Sequence, residues 1–247
     1  MTYIHLFFAI LVVVLTFIVT FFVGIIPAAI LKLFKQREAG EKWMRLNGTF
    51  IAKTVIWVLN MKIVTSGEEK IPPPEVPVCF VANHQSMLDI PAVLAGLHLW
   101  PGFVTKKELK KVPILRYWIR AMQCVYIDRE SVRSSVEAII KSVENIKRGV
   151  RMFIFPEGTR SKTGELGQFK SGSLKLATRA KATIVPITID GTRLGVEQKR
   201  GVKRIIIHLI VSDPIDTASL DADQIKELPD QVYRVIEEQF KSIQGPR

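Results

Sequence analysis

A histidine and an aspartate five positions apart, His84 and Asp89 in Asn83-His84-Gln85-Ser86-Met87-Leu88-Asp89, follow directly on the apolar run Pro77-Val78-Cys79-Phe80-Val81-Ala82. An imidazole whose one ring N–H is held by a carboxylate has its tautomer fixed, and its other nitrogen is then a base near neutral pH. On one continuous helix this spacing would turn the two side chains about 140° apart. A turn between them removes that obstacle. Ser86-x-x-Asp89 has the pattern of a helix start, with Ser86 as N-cap and Asp89 in the first turn, where a carboxylate suits the positive end of the helix dipole. His84 then lies in a strand-to-helix loop. The spacing alone equally describes a capping aspartate beside a histidine that satisfies a loop carbonyl.

A second set of residues suits a phosphate. Phe155-Pro156-Glu157-Gly158-Thr159-Arg160-Ser161 follows the apolar Met152-Phe153-Ile154. Proline ends the strand, glycine permits a tight path, and Thr159 and Arg160 offer a hydroxyl and a fork of N–H donors. A phosphomonoester carries nearly two charges, so a second cation is expected beside the guanidinium. Arg129, ending Val125-Tyr126-Ile127-Asp128-Arg129, and Lys106 or Lys107, following Phe103-Val104-Thr105, are the candidates by position. Side chains at strand ends on one edge of an α/β sheet converge on a crevice.

Positioning these groups requires a sheet. Short β-branched and aromatic runs predict strands near 77–83, 102–105, 122–127, 151–155, 183–189 and 204–211. Ser131 to Arg148 has Val132, Val136, Ile139, Ile140, Val143 and Ile146 at helical spacing, with Gly149 as the stop. A last helix is predicted from Pro229 to Ile243, and Ser66 to Pro74 reads as turns. The alternation predicts an α/β fold, a mostly buried central sheet with covering helices, over residues 62–247.

Residues 1–61 have a different texture. Met1 to Leu31 contains no Asp, Glu, Lys or Arg, and about 20 apolar residues in a helix cross a bilayer core of roughly 30 Å. A signal peptide would need a basic leader and a shorter apolar stretch. Lys32, Lys35, Arg37, Lys42 and Arg45 follow, which places that flank on the cytoplasmic face of the cell membrane. Gly24 and Pro27 permit a bend, so dipping and spanning both remain open. From Glu41 to Asn60, helical spacing sets Lys42, Arg45, Thr49, Lys53 and Asn60 in one stripe. Trp43, Leu46, Phe50, Val55, Trp57, Val58 and Leu59 fill the rest, as suits either a lipid interface or packing on the core. The whole 1–61 segment reads as a two-helix membrane-docking element.

Composition agrees with a folded, anion-seeking protein. Of 247 residues 48% are apolar, and 35 Lys and Arg against 23 Asp and Glu give a net charge of +12. Cys79 and Cys124 lie in strand-like runs, which predicts core packing and no disulfide. No C-x-x-C or H-E-x-x-H spacing supports zinc.

Taken together, His84-x4-Asp89, the Phe155 to Ser161 stretch and Val185-Pro186-Ile187-Thr188-Ile189 resemble the first, third and fourth motif blocks of the glycerolipid acyltransferase family, in the family's order. Within it they resemble most its bacterial 1-acylglycerol-3-phosphate acyltransferases. The second block, G-x-x-F-I-x-R, is matched in part by Gln123-Cys124-Val125-Tyr126-Ile127-Asp128-Arg129, with Gln for Gly and Tyr for Phe. Val104-Thr105-Lys106-Lys107-Glu108-Leu109 is similar to a lysine block between the first two, and the N-terminus to a membrane-dipping helix pair.

The resemblance implies that His84, oriented by Asp89, takes the proton from the sn-2 hydroxyl of lysophosphatidic acid. That oxygen attacks an acyl thioester on coenzyme A or acyl carrier protein, without a covalent acyl-enzyme. Arg129, Thr159, Arg160 and one of Lys106 and Lys107 would hold the acceptor phosphate, on the loop that Gly158 shapes. Glu157 would bind a glycerol hydroxyl or brace that loop. No metal and no bound cofactor are implied, and the partners are lysophosphatidic acid, the acyl thioester and a phospholipid membrane.

Rival readings are a related acyltransferase for glycerol 3-phosphate or another lysophospholipid, and a membrane-anchored anion-binding module. A serine hydrolase lacks its G-x-S-x-G. Nucleotide or nucleic-acid binding is not expected, because residues 167–173 have P-loop glycine spacing without the lysine after the second glycine.

Overall fold

The computed structural model describes residues 3–161, 163–170, 172–195 and 204–244. Residues 1 and 2 of the docking element and Ser171 of the glycine-spaced stretch lie outside the described residues. An apolar helix opens the chain, with α1 (Tyr3–Thr20) passing through a π turn (Phe21–Ile25) into α2 (Ile26–Leu33). Then come α3 (Arg37–Val58), β1 (Met61–Ser66), β2 (Val78–Ala82), α4 (Asp89–Gly96), β3 (Gly102–Lys106) and α5 (Pro113–Ala121). The remainder is β4 (Val125–Ile127), α6 (Val132–Lys147), β5 (Met152–Ile154), α7 (Lys175–Ala180), β6 (Thr183–Asp190), β7 (Ile205–Val211) and α8 (Ala222–Gln244).

The strands form one sheet in the order β1-β7-β6-β2-β5-β3-β4. From β6 to β4 all neighbours are parallel, so the C-terminal ends of β2, β3, β4, β5 and β6 share one edge. β7 runs antiparallel to β6, and β1 lies parallel to β7. Central β2 is buried at every position, the pattern of a parallel strand covered on both faces. Its period of two divides it between two cores. Val78, Phe80 and Ala82 pack with Ala52 and Ile56 of α3 and Ala92 and Val93 of α4. Cys79 and Val81 pack with Ala138 and Ile146 of α6, Leu176 and Ala177 of α7, and Leu228, Val232 and Ile236 of α8. Both cysteines are free, and burial pushes the Cys124 thiol up to about 12.

Several expectations need correction. β1 occupies Met61–Ser66, where only turns from Ser66 were predicted; it is an edge strand whose partly exposed alternation is weak. α8 begins at Ala222, leaving Pro229 inside it, because Leu228, Val232, Ile236 and Phe240 form one buried stripe that outweighs the hydrogen bond proline forgoes. In α6, Ile146 is buried and Ile139 and Val143 pack against the core as their spacing suggests, joined by buried Ala138, Ser142 and Asn145, whereas Val132 is 82% exposed, with Val136 and Ile140 also exposed. Its end follows expectation. Gly149, at φ +86°, donates to the Ile146 carbonyl, and Val150 donates to Asn145, a Schellman closure.

Phe7–Leu33 is helical throughout; its most apolar 18 residues have a mean hydropathy of 3.1 and are 17% buried, and the helix is long and apolar enough to cross a membrane. The second helix, α3, packs on the core along one side and leaves apolar side chains exposed along another. Met44, Ile51, Ala52 and Ile56 are buried, whereas Leu46, Phe50 and Trp57 are exposed, Trp57 by 76%. The half-buried Trp43 donates its indole N–H to the Val23 carbonyl at 2.9 Å and ties α3 to the apolar helix.

Candidate active site

Asn83 continues β2 with its side chain. Its amide accepts from the Ile189 N–H and donates to the Ile189 carbonyl, both at 2.8 Å, which pins the strand end to β6. The backbone then turns, and α4 starts at Asp89 with Leu88 as N-cap. Ser86 is therefore not the cap; its hydroxyl accepts from the Leu88 N–H at 3.1 Å. The turn folds the imidazole back onto the carboxylate. His84 Nδ1 lies 2.7 Å from Asp89 Oδ2, the aspartate is fully buried, and the histidine side chain keeps 13% exposure.

Asp89 is held from every side. Oδ2 also accepts from the N–H groups of Gln85 at 2.8 Å and Ser86 at 3.0 Å. Oδ1 accepts from the hydroxyl of Thr192, which is itself buried. With the carboxylate anchored at Nδ1, the other ring nitrogen is left to accept a proton. The ring plane is fixed separately, by stacking on Phe155 at 4.0 Å between centroids and 17° between planes.

Glu157 connects this dyad to the following loop. Its Oε1 accepts from the His84 N–H at 2.7 Å and its Oε2 from Gly167 at 3.1 Å, while Ser161 donates to the His84 carbonyl at 2.8 Å. Both carboxylate oxygens are thus engaged with backbone, which favours the bracing role over contact with a glycerol hydroxyl. Burial pushes the Glu157 carboxyl up to about 7, and the Asp89 charge adds to that, against the two hydrogen bonds. The folded protein therefore binds a proton here that the unfolded chain has already released, between about pH 4.5 and 7. Glu157 should favour folding most below pH 4.5, and that contribution should be lost as pH rises to about 7. Melting temperature measured against pH should accordingly fall more steeply across this window in the wild type than in Glu157→Gln; parallel profiles would contradict the assignment.

The cations divide into two groups. Arg129, just past β4, has its pKa lowered first by burial, against the opposing charge of Glu108, and further by the charge of Arg160, so the guanidinium groups from the end of β4 and from the loop after β5 lie within electrostatic reach of each other. Lys107 is instead paired with Asp128. Lys106 stays exposed at the end of β3 with no ion pair among the described residues. Gly158 has φ +70°, as a residue in this turn must, and a Cβ there would stand 2.8 Å from Lys170 Cε and 2.9 Å from Lys170 Nζ. The Lys170 ammonium therefore lies across the turn that presents Thr159 and Arg160. A groove of about 580 Å³ lined by Ser66, Lys70, Ser212 and Asp213 sits at the opposite sheet edge, remote from His84.

The family model described as Acyltransferase matches residues 62–190, from β1 to the end of β6. The chain belongs to the acyltransferase family. It is 32% identical over 228 residues to the 1-acyl-sn-glycerol-3-phosphate acyltransferase of Saccharomyces cerevisiae, covering 90% of this chain and 73% of that one. A probable 1-acyl-sn-glycerol-3-phosphate acyltransferase of Mycoplasma pneumoniae is 28% identical over 200 residues, 75% of this chain and 73% of the relative. The crystal structure of the 1-acyl-sn-glycerophosphate (LPA) acyltransferase PlsC from Thermotoga maritima superposes with a TM-score of 0.75 at 27% identity, covering 96% of this chain and 97% of that one.

Some residues of this candidate site escaped sequence reasoning. Thr192, Gln85 and Lys170 were not singled out. Yet Gly191-Thr192 directly follows β6, a strand end on the same edge as the others, and that position was the available signal. Gly191 is obligatory there: φ is +91° and a Cβ would meet the Ile206 carbonyl at 2.2 Å. Gln85 Nε2 donates to Asp190 at 3.2 Å and so joins the His84 loop to β6. Where the acyltransferase departs from the family's second block, Gln123 takes the left-handed conformation, φ +55°, that glycine adopts at no cost. The Gln123 carbonyl accepts from Asn145 at 2.8 Å, which secures the turn.

Proposed function

We propose that this chain transfers a fatty acyl group from an acyl thioester, on coenzyme A or acyl carrier protein, to the sn-2 hydroxyl of 1-acylglycerol 3-phosphate, yielding phosphatidic acid. The observation that carries this is the 2.7 Å His84–Asp89 contact at the sheet edge from which Arg129 and Arg160, each within electrostatic reach of the other, also emerge. The activities by which the yeast, Mycoplasma and Thermotoga relatives are named agree with it. In the reaction, His84 Nε2 takes the hydroxyl proton as that oxygen bonds to the thioester carbonyl carbon. Collapse of the tetrahedral intermediate expels the thiolate, which recovers the proton from the imidazolium. Arg129, Arg160 and Thr159 hold the acceptor phosphate, with Lys106 and Lys170 as further cations, so that the hydroxyl is presented to His84.

Residues 1–61 dock this site on lipid, with the exposed apolar side of Phe7–Leu33 and Leu46, Phe50 and Trp57 of α3 in the bilayer. Drawing an acyl chain through water costs about 0.8 kcal/mol per CH₂, which docking avoids. The basic residues from Lys32 to Arg45 favour the cytoplasmic face.

The direct test is incubation of the purified protein with labelled 1-acylglycerol 3-phosphate and a panel of acyl thioesters; absence of phosphatidic acid would refute the reading. For Arg160→Ala, a lost charge-assisted hydrogen bond of about 1.5–3 kcal/mol predicts a rise of roughly 10- to 100-fold in KM for the acceptor. The KM for the acyl donor should stay within about two-fold, and an equal rise in both would remove Arg160 from the phosphate seat.

A further inference from the structure

From Leu109 to Ile127 the chain carries Lys110, Lys111, Arg116 and Arg120 and no Asp or Glu. All four cations are exposed, and none makes an ion pair among the described residues. They gather at the β4 edge of the sheet. Lys110 Nζ lies 5.4 Å from the centre of the Tyr126 ring, and the charges of Arg116 and Arg120 both act on the Tyr126 phenol. Arg116 and Arg120, four residues apart, lie along one side of α5.

That surface is continuous with the apolar helix. Tyr117, 40% exposed on the outer side of α5, meets Phe21 edge-on at 5.6 Å, and Trp118 contacts Gly24. Arg116 stands over the Tyr117 ring at 5.6 Å, and Val112 is exposed just ahead of the helix. Apolar and aromatic side chains next to unpaired cations, bordering a helix that seats in lipid, are the arrangement a negatively charged headgroup layer attracts.

We infer that the surface formed by α5 and the preceding lysines is a second membrane contact, one that recognises anionic phospholipid, while the apolar helix supplies contact that does not depend on headgroup charge. This rests on the lipid-docking reading of residues 1–61. The two contacts differ in their response to salt and to lipid charge. Each Lys or Arg near an anionic surface strengthens binding by about five-fold, and the gain fades within a Debye length of roughly 8–10 Å as salt is raised.

Vesicle co-sedimentation of the full chain separates them, using phosphatidylcholine vesicles and phosphatidylcholine vesicles containing phosphatidylglycerol. Wild type should bind the anionic vesicles more tightly, with an advantage that shrinks in high salt. The double variant Arg116→Gln, Arg120→Gln should lose about 25-fold of that binding and keep wild-type affinity for phosphatidylcholine. Lys110→Gln with Lys111→Gln, exposed and outside α5, should behave alike and guards against a folding effect in the first pair. An undiminished anionic advantage in both double variants overturns the inference. So does a selective rise in KM for acyl carrier protein thioester with vesicle binding intact, which would assign the surface to an acidic protein. Failure of wild type to bind phosphatidylcholine would instead refute docking by the apolar helix.

Discussion

Replacing His84 by alanine should lower the rate of acyl transfer to 1-acylglycerol 3-phosphate by about 10²- to 10⁴-fold, the range for removal of a positioned general base. The loss should fall on kcat and leave the acceptor KM nearly unchanged, because the cations proposed to hold the phosphate come from other strand ends. The fold should survive. The ties from His84 to Glu157 and Ser161 are made by its backbone N–H and carbonyl, which alanine retains. The measurement is single-turnover formation of phosphatidic acid, with circular dichroism as the check on folding. A near wild-type rate would exclude His84 as the base.

Asp89→Asn should lower kcat by roughly 10²-fold, less than neutralising the buried aspartate of the serine-protease triad, where the wrong histidine tautomer costs about 10⁴. The difference comes from the backbone. An asparagine amide could offer its NH₂ to the imidazole only by turning it also toward the Gln85 and Ser86 N–H groups, which occupy the same oxygen of Asp89. Two donors facing an NH₂ group disfavour that orientation, so the amide oxygen stays toward His84 and the tautomer is kept. What is lost is the negative charge opposite the imidazolium. The Thr192 hydroxyl can turn to accept from the new NH₂. Asp89→Ala, by contrast, strands those donors in a buried site at about 1–3 kcal/mol each, and should lose stability along with activity. Steady-state kinetics and urea unfolding of both variants test this: a wild-type kcat in Asp89→Asn, or equal stability of the two variants, would contradict it.

The differences between the two carboxylates follow from their surroundings. Asp89 and Glu157 both accept from the backbone around His84, yet only Asp89 reaches the ring. Glu157 holds the histidine's main chain against the Gly167 loop, so its neutralisation should act through stability and geometry. The candidate phosphate seat likewise separates two adjacent lysines: Lys107 is drawn to Asp128, and Lys106 remains at the strand end.

By itself the sequence determined the parts whose physics is local or periodic. Short, mostly apolar runs marked β2, β5 and β6, because strands buried on both faces admit few polar residues, and Thr188 in β6 is accommodated by donating to the Ile236 carbonyl. The charge-free N-terminus marked the long apolar helix, and the residues after His84 marked a turn leading into α4. Only the tertiary structure decided the rest. Edge strand β1 was set by pairing with β7 and the start of α8 by the stripe it buries against distant elements, which overrides the proline signal. That Thr192 supports Asp89, that Glu157 braces His84, and that Lys107 leaves the candidate seat for Asp128 are contacts between residues brought together by parallel strand order. A side chain's partner is a matter of distance in space, and spacing along the chain constrains that distance only within a few residues.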